Sequence, residues 1–399
     1  MSPLSAFYPL RYPAFRKMWL SIFLCNISFW MQMLTTIALV QQNAPGSLLV
    51  TWTQGLYVLP ALIFTLLAGA CADSFPPKAL LLSAQGVMLV SNLCLIAVNG
   101  HELWLIGLLS LLAGISSAWR NPVWQSLISS LVPSHCLSEA VGLSSVNFNL
   151  ARILGPFFAS LFIVWLPLDN LFALCALLSL LFMWQVYTTD MDPPRREQPL
   201  ALRHLLRHAL RGFIHVYHCK EIKQVVVNTY WLSLISCSIL LLIPTMAEAS
   251  ANAAFYTGLY LAFFGFGGIS IVFIAPFLRS RYQHSTLLSI ALLLQLFCSV
   301  NLLLFDALEM RVLMVTFSGA GWILMLTTLN STLQHITPLE LRGRSLSVYI
   351  TCLSGGMSCG ALLWGVLVKY LLIYHALMIS AGIVAGALLY HFRASRWRA

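Results

Sequence analysis

Long apolar runs recur along this 399-residue chain, separated by short polar connections. Each run approaches the roughly 20 residues that an α-helix needs to cross the hydrocarbon layer of a bilayer. Hydrophobic residues make up 59% of the chain, whereas Asp, Glu, Lys and Arg together make up only 9%. So few charges cannot cover a surface that faces water. The sequence therefore predicts an all-α polytopic membrane protein, with the lipid bilayer as its surroundings.

We place twelve transmembrane helices along the chain. They lie near residues 18–40, 50–71, 79–98, 102–122, 138–164, 167–188, 223–246, 254–278, 285–305, 311–333, 345–368 and 372–392. An extension of the fourth span to Leu131 is left open. The first run is too long for the core of a signal peptide and lacks a convincing small-residue cleavage site, so we interpret it as the first span.

The Lys and Arg residues set the predicted orientation, because basic flanks are retained in the cytoplasm. With the amino terminus inside, nearly all of the 22 Lys and Arg fall in cytoplasmic segments. The exceptions are Arg311 and Lys369 on the opposite side, and Arg120 and Arg152 within spans. This pattern predicts a multi-pass protein of the bacterial inner membrane with both termini cytoplasmic. The net charge of +10 comes from Lys and Arg whose positions match a membrane orientation and do not form a basic surface for nucleic acid. Nucleic acid is therefore not a predicted partner.

A long polar connection divides the spans into six and six. The predicted domains are an amino-terminal six-helix bundle over 1–188, a cytoplasmic linker over 189–222 and a carboxyl-terminal six-helix bundle over 223–399. The linker pattern predicts an amphipathic helix on the inner membrane surface. Its His204 and His208 stand four residues apart without acid or cysteine partners, so neither a metal nor another cofactor is predicted. We expect a monomer.

The two halves repeat three small or kinking residues at an offset of 205. The matched pairs are Gly114 with Gly319, Pro133 with Pro338, and Gly155 with Gly360. Each pair falls in the same place within its half, as a parallel duplication requires. The sequence therefore predicts two six-helix bundles related by duplication.

Several motifs resemble the major facilitator superfamily. The segment Gly69–Asp73 is similar to its cytoplasmic signature, although Lys78 alone remains of the basic residues that usually follow. The segments 121–125, 146–156 and 330–334 resemble the branch that contains the enterobactin exporter and related siderophore exporters. The resemblance covers nearly the whole chain and implies the major facilitator fold. It also implies gating or conformational roles for Gly69, Asp73, Lys78, Arg342 and Arg344. Gly155 and Pro156 are predicted to be conformational contacts because small residues permit close helix approach and proline weakens a backbone rung, with static close packing as the alternative.

The predicted spans contain no Asp or Glu well inside them. In the related branch the first span often carries Asn-Leu-Gly-Asp-Trp, and here Phe29 stands in the place of the acid. Proton relays usually use buried carboxylates or histidines. Coupling to a proton gradient would therefore have to come from an acid at a helix end, from a histidine or from the charge of the substrate itself.

Arg120 and Arg152 are the cations predicted within the membrane. A guanidinium at that depth costs at least about 2.5 kcal/mol, so it normally faces a cavity or a partner. The functional interpretation is forked hydrogen bonding to an anionic cargo. The alternative is that both bind helix-end carbonyls, or reach Glu139 or Asp73. The further candidate substrate contacts are Gln32, Asn121, Trp124, Asn149, Tyr230, Trp231 and Tyr256.

These features predict a secondary active transporter that exports an anionic metal chelator, a carboxylate-type siderophore, across the inner membrane by alternating access. Three alternatives stay open. They are an efflux pump for drugs or other amphipathic compounds, an importer of an organic anion or an iron-loaded siderophore, and a receptor or assembly factor that transports nothing. The chain carries no phosphate-binding loop or nucleophile triad, so neither ATP-driven transport nor an enzyme is predicted.

Overall fold

The computed structural model describes residues 5–46, 48–72, 75–98, 102–189, 216, 218–248, 250, 252–337 and 342–396. Fourteen α-helices are described within these ranges. They are α1 (Pro13–Asn43), α2 (Leu48–Val58), α3 (Ala61–Ala72), α4 (Pro77–Ala97), α5 (Leu103–Leu131), α6 (Leu137–Ile163), α7 (Leu168–Thr188), α8 (Lys220–Ser236), α9 (Ser238–Ala247), α10 (Ala253–Arg281), α11 (His284–Leu304), α12 (Leu308–Ile336), α13 (Arg342–Tyr370) and α14 (Ile373–Arg396). Short 3₁₀ helices cover Ser5–Arg11 and Ser134–Cys136.

All twelve predicted spans coincide with helical segments long and apolar enough to cross a membrane. The second span comprises α2 and α3, which are separated by a turn at Pro60. A proline has no amide hydrogen to continue a helical ladder, which accounts for the break. The seventh span comprises α8 and α9, which meet at Cys237. The fourth span does extend to Leu131 as the continuous helix α5.

The described carboxylates lie at helix ends or in connections, as predicted. Four of them occupy the first turn of a helix, namely Glu139, Asp169, Glu221 and Glu309. Negative charge is favourable there because the amino end of a helix carries a partial positive charge. Glu102, Glu248 and Asp306 lie directly outside helices. Within the ranges that the structure covers, no Asp or Glu lies deeper in a span.

The chain groups into two compact units. The first contains the described residues of Met1–Leu39 and Leu56–Arg211, and the second contains those of Val40–Gly55 and Gly212–Ala399. Helix α1 thus begins in the first unit, while its last four residues and the start of α2 pack within the second. The predicted amphipathic linker helix, with His204 and His208, falls outside the described residues.

Glycines allow two close helix contacts in the first unit. A Cβ atom added to Gly114 of α5 would lie 2.5 Å from the carbonyl oxygen of Tyr57. A Cβ atom on Gly155 of α6 would lie 2.5 Å from the Cβ of Trp30 and 2.9 Å from the carbonyl oxygen of Ile27. The fourth span therefore packs tightly on the second, and the fifth packs tightly on the first.

The matched glycines make the equivalent contacts in the second unit. A Cβ atom on Gly319 of α12 would overlap the carbonyl of Phe264 in α10. On Gly360 of α13 it would lie 2.6 Å from the Cys237 sulfur and 3.0 Å from the carbonyl oxygen of Leu234. The tenth span packs on the eighth and the eleventh on the seventh, which is the order expected of duplicated halves. In the remaining matched pair, Pro133 with Pro338, the second proline lies outside the described residues.

We expect Gly319→Ala to lower the thermal unfolding temperature, whereas Gly386→Ala should leave it unchanged or raise it. The new methyl group at 319 would meet backbone, and overpacking costs about 1–3 kcal/mol. Gly386 of α14 has nothing within 4 Å of an added Cβ, and alanine favours a helix over glycine by about 1 kcal/mol. Tryptophan fluorescence during heating of the purified variants measures both. Equal shifts would contradict the close approach of α12 and α10.

Candidate functional site

Arg120 of α5 is the one fully buried guanidinium among the described residues. Its Nη1 donates to the Cys25 sulfur at 2.9 Å and to Gln85 Oε1 at 3.2 Å. Its Nη2 donates to Asn26 Oδ1 at 2.9 Å. The charge therefore meets three neutral side chains from α1 and α4.

These partners hold further helices of the first unit. Gln85 donates to Ser179 Oγ of α7 at 2.8 Å. Asn26 donates to Asn147 Oδ1 of α6 at 3.1 Å, and Asn147 in turn donates to the carbonyl oxygen of Trp19 at 2.7 Å. We call these side chains, together with Arg120 and Cys25, the Arg120 network. It connects α1, α4, α5, α6 and α7 through hydrogen bonds inside the unit.

The Arg120 network contains no carboxylate. Glu139, one of the two acids proposed as partners, has a buried Oε2 with no hydrogen-bond partner among the described residues. Asp73, the other acid, lies outside them. Neutral dipoles therefore stabilise the charge of Arg120, and a buried polar network of this kind stabilises the packing only while its members stay paired. Because Arg120 is closed off by protein in this conformation, its contact with substrate stays a prediction.

Arg152 of α6 has a different environment. Its side chain is partly exposed, and its Cζ lies 5.3 Å from the centre of the Trp30 ring. Arg152 has no hydrogen bond or ion pair to another described residue, so its N–H groups lack acceptors there. Trp30 is held edge to face by Phe148 at 6.0 Å and by Phe29 at 5.4 Å. We call Arg152, Trp30 and Phe148 the Arg152 face.

Local packing positions the Arg152 face. Gly155 has no side chain, so α6 lies against α1 close to Trp30, within one turn of Arg152. The indole Nε1 of Trp30 is buried and has no acceptor among the described residues. Phe29, which stands where related proteins carry an acid, is buried against Trp30 and against Tyr57 at 5.6 Å. The Arg152 face therefore presents a guanidinium held over an indole ring, without a neutralising carboxylate from position 29.

The structure separates the other predicted contacts of the first unit into two groups. Gln32 and Trp124 are buried, and they donate to Ser91 Oγ at 3.0 Å and to Ser144 Oγ at 2.7 Å. Asn121 and Asn149 are partly exposed. Each donates to a residue one turn earlier in its own helix, at 3.4 Å and 2.8 Å respectively. The two asparagines therefore stay more accessible than Gln32 and Trp124.

The second unit keeps its predicted aromatic contacts at least partly exposed. Trp231 is 55% exposed and meets Tyr230 edge to face at 5.3 Å. Tyr256 is partly exposed and lies 6.4 Å from the buried Tyr260, measured between ring centres. Their contact with substrate stays a prediction.

Among the predicted gating residues, Lys78 has the clearest contacts. Its Nζ donates to the carbonyl oxygen of Tyr187 and lies 5.1 Å from the centre of that ring, which joins α4 to α7. Gly69 lies in α3, and Pro156 is buried in α6. Asp73 lies outside the described residues, as do the side chains of Arg342 and Arg344. The gating roles therefore stay predictions.

Sequence reasoning missed Cys25 and Gln85 as partners of Arg120. Gln85 is one of two amides, with Asn92, in a mostly apolar run, and that is the one signal that could have drawn attention to it. Cys25 carried no such signal, because cysteine behaves as a small apolar residue in most interiors.

Comparisons with known proteins agree on the class. A family model described as "Transmembrane secretion effector" matches residues 4–399. An uncharacterized MFS-type transporter of Mycobacterium tuberculosis is 27% identical over 149 residues, which are 36% of this chain and only 25% of that relative. A mutant of the nucleoside transporter NupG has a TM-score of 0.78 at 14% identity and covers 95% of this chain, with all of its own chain covered. A bacterial homolog of the human lysosomal transporter Spinster has a TM-score of 0.74 at 13% identity, and the match covers 96% of this chain and 97% of that protein. The solved structures share the fold.

We expect Arg120→Ala to destabilise the protein far more than Arg152→Ala. Removing Arg120 leaves buried acceptors unpaired and should cost about 3 kcal/mol, because single hydrogen bonds to charged groups contribute about 1.5–3 kcal/mol. Arg152 loses one contact with an aromatic ring, which is worth about 0.5–1 kcal/mol. Thermal unfolding of the purified variants gives the ranking. Equal stability of the two would show that the Arg120 network is not structural.

Proposed function

Because the chain belongs to the transmembrane secretion effector family of major facilitator transporters, we propose that it exports an anionic small molecule by alternating access. The proposed cargo is a carboxylate-type siderophore, which moves from the cytoplasm to the periplasm across the bacterial inner membrane. The relatives found by comparison are transporters, which agrees with a protein that moves its cargo without changing it.

The unpaired guanidinium of Arg152 carries this proposal. A cation in a membrane span normally faces a cavity or a partner, and Arg152 has no acceptor among the described residues. Its planar fork offers two parallel N–H donors, which match the two oxygens of a carboxylate. Stacking on Trp30 limits the motion of the guanidinium, so less side-chain entropy is lost when cargo binds.

The position of the acids supports an anionic cargo over a cationic one. The described acids lie at helix ends, and a cationic drug would call for a carboxylate within a span. Trp30 holds the cation against its ring. Asn121 and Asn149 supply neutral amides from the same unit. Tyr230, Trp231 and Tyr256 are the proposed contacts of the second unit.

A carboxylate chelator is the cargo class that fits this chemistry together with the sequence motifs. Such a molecule carries several acid groups, and each can accept a forked pair of hydrogen bonds. The motif at 121–125 directly follows Arg120 and the motif at 146–156 contains Arg152, and both segments resemble siderophore exporters. The proposed direction and the siderophore class rest on that resemblance.

Metabolite profiling of a deletion strain under iron limitation tests the proposal. We expect the deletion to lower an extracellular carboxylate chelator and to raise it inside the cell, and the parent gene to reverse both changes. Arg152→Ala should restore little export, because losing a charge-assisted pair worth about 1.5–3 kcal/mol weakens binding roughly 10- to 100-fold. Arg152→Lys, which keeps the charge but not the fork, should restore an intermediate level.

Arg281→Ala is the matched control. The Arg281 guanidinium also lies over an aromatic ring, 4.8 Å from the centre of Phe277, at the end of α10 in the second unit. This variant should export like the parent. Unchanged secretion of every chelator that the deletion strain makes would overturn the proposed cargo. Reduced accumulation of supplied iron-loaded chelator inside the deletion strain would instead indicate import.

A further inference from the structure

Helices α10 and α12 of the second unit end on the same side, which the predicted orientation makes cytoplasmic. The two helices pack on each other, because a Cβ atom added to Gly268 of α10 would lie 2.7 Å from Cγ1 of Ile323 in α12. Both helices continue from this contact by the same number of residues, to Arg281 and to Ile336. Since α11 returns between them, they run in the same direction and reach the same surface of the unit.

Helix α11 begins at this surface. It starts at His284 and packs on α12, since a Cβ atom added to Gly321 would lie 3.1 Å from the carbonyl oxygen of Ala291. His391 of α14 donates from its Nε2 to the carbonyl oxygen of Ser285 at 2.9 Å, which joins a fourth helix to the start of α11. The ends of four helices are therefore close together here.

Three basic side chains occupy these helix ends. Arg279 lies in the last turn of α10, His284 is the first residue of α11, and His335 lies in the last turn of α12. Arg279 and His335 are both near enough to His284 to act on its charge. Each of the three is at least partly exposed, and none makes a hydrogen bond or an ion pair with another described residue. The Nε of Arg279 is buried without an acceptor there. We call these side chains the Arg279 cluster.

The described residues supply the Arg279 cluster with no negative charge. The ranges 276–286, 328–337 and 388–396, which form these helix ends, contain no Asp or Glu. Gln283 precedes α11 without a side-chain cap, so the amides of the first turn lack partners within the helix. Free amides at the amino end of a helix favour an anion. A phosphate group, with several acceptor oxygens, matches the guanidinium, the imidazole N–H groups and these amides.

The neighbouring apolar surface favours a phospholipid over free phosphate as the source of that group. Ile274 and Phe277 are 47% and 57% exposed in the last two turns of α10, and Leu389 of α14 is 64% exposed. In a bilayer these side chains contact acyl chains. Basic pockets between spans on the cytoplasmic side bind the head groups of anionic lipids. A molecule that joins a phosphate to acyl chains therefore matches both parts of the surface.

We propose that the Arg279 cluster binds the phosphate of an anionic phospholipid in the cytoplasmic leaflet, and that the bound head group bridges the ends of α10, α11 and α12. This inference goes beyond the proposed cargo and does not depend on it.

Lipid retention by the purified full chain tests this inference without cargo. The protein in neutral detergent is incubated with phosphatidylglycerol and phosphatidylcholine of the same acyl chains and washed, and the bound lipid is quantified by mass spectrometry. The parent should retain the anionic lipid in preference to the neutral one. Arg279→Gln should lower that preference about fivefold, the loss expected for one cation near an anionic membrane surface. His335→Gln changes an exposed side chain, so it should fold even if Arg279→Gln does not, and it should also lower the preference.

Arg281→Gln is the matched control. Arg281 lies two residues from Arg279 at the same surface, but its exposed guanidinium lies over the ring of Phe277, 4.8 Å from the ring centre. This variant should retain lipid like the parent. An equal loss in Arg281→Gln and Arg279→Gln would indicate general attraction by surface charge and would overturn the site.

Two further outcomes would also overturn the proposal. The first is equal retention of the two lipids by the parent, as expected if Glu340, which lies outside the described residues, neutralises Arg279. The second is release of phosphatidylglycerol by inorganic phosphate in the wash, compared with chloride at the same ionic strength, because the occupant would then be the free ion. We expect the two washes to leave the same amount of bound lipid.

Discussion

The first unit depends on the hydrogen bonds that the buried Arg120 guanidinium makes to neutral side chains, with no carboxylate beside it. Arg120 is completely buried, and its partners are a thiol and two amides. A buried guanidinium is costly unless its hydrogens are accepted. The helices that supply acceptors must therefore stay in register, and through Asn26 and Gln85 that requirement reaches α6 and α7. The order of these helices in turn positions the surface that carries Arg152.

The two arginines illustrate how burial and acceptors decide the role of the same side chain. The two terminal nitrogens of Arg120 have three acceptors, its Nε is buried without one among the described residues, and the side chain has no access to solvent, so Arg120 positions helices. Arg152 lies one helix further along the chain, is partly exposed and stacks on Trp30 without an acceptor. The second unit keeps the packing glycines of the repeat but neither arginine, because Met325 and Met357 stand at the positions offset by 205. In the proposed mechanism, charge recognition is thus assigned to the first unit.

Much of the fold could be predicted because the bilayer imposes simple rules. Apolar length located the twelve spans, and the cost of burying charge placed the acids at helix ends. The pairs Gly114 with Gly319 and Gly155 with Gly360 indicated a duplication, and the structure shows each of these glycines at a close helix contact. The site was harder, because hydrogen bonds between neutral groups leave little trace in a sequence. Nothing in the linear order of Cys25, Gln85 and Arg120 indicates that they meet, so Arg120 and Arg152 looked equivalent until their neighbours were known. The packing of residues 40–55 within the second unit was missed for the same reason.

The most direct measurement of charge recognition by Arg152 is equilibrium binding of a carboxylate chelator and of its neutral methyl ester to the purified protein. The parent protein should bind the acid more tightly than the ester, and Arg152→Gln should bind the two equally while remaining folded. If the parent protein bound acid and ester with equal affinity, or if Arg152→Gln kept the full preference for the acid, the assignment of Arg152 as the cargo-binding cation would be wrong.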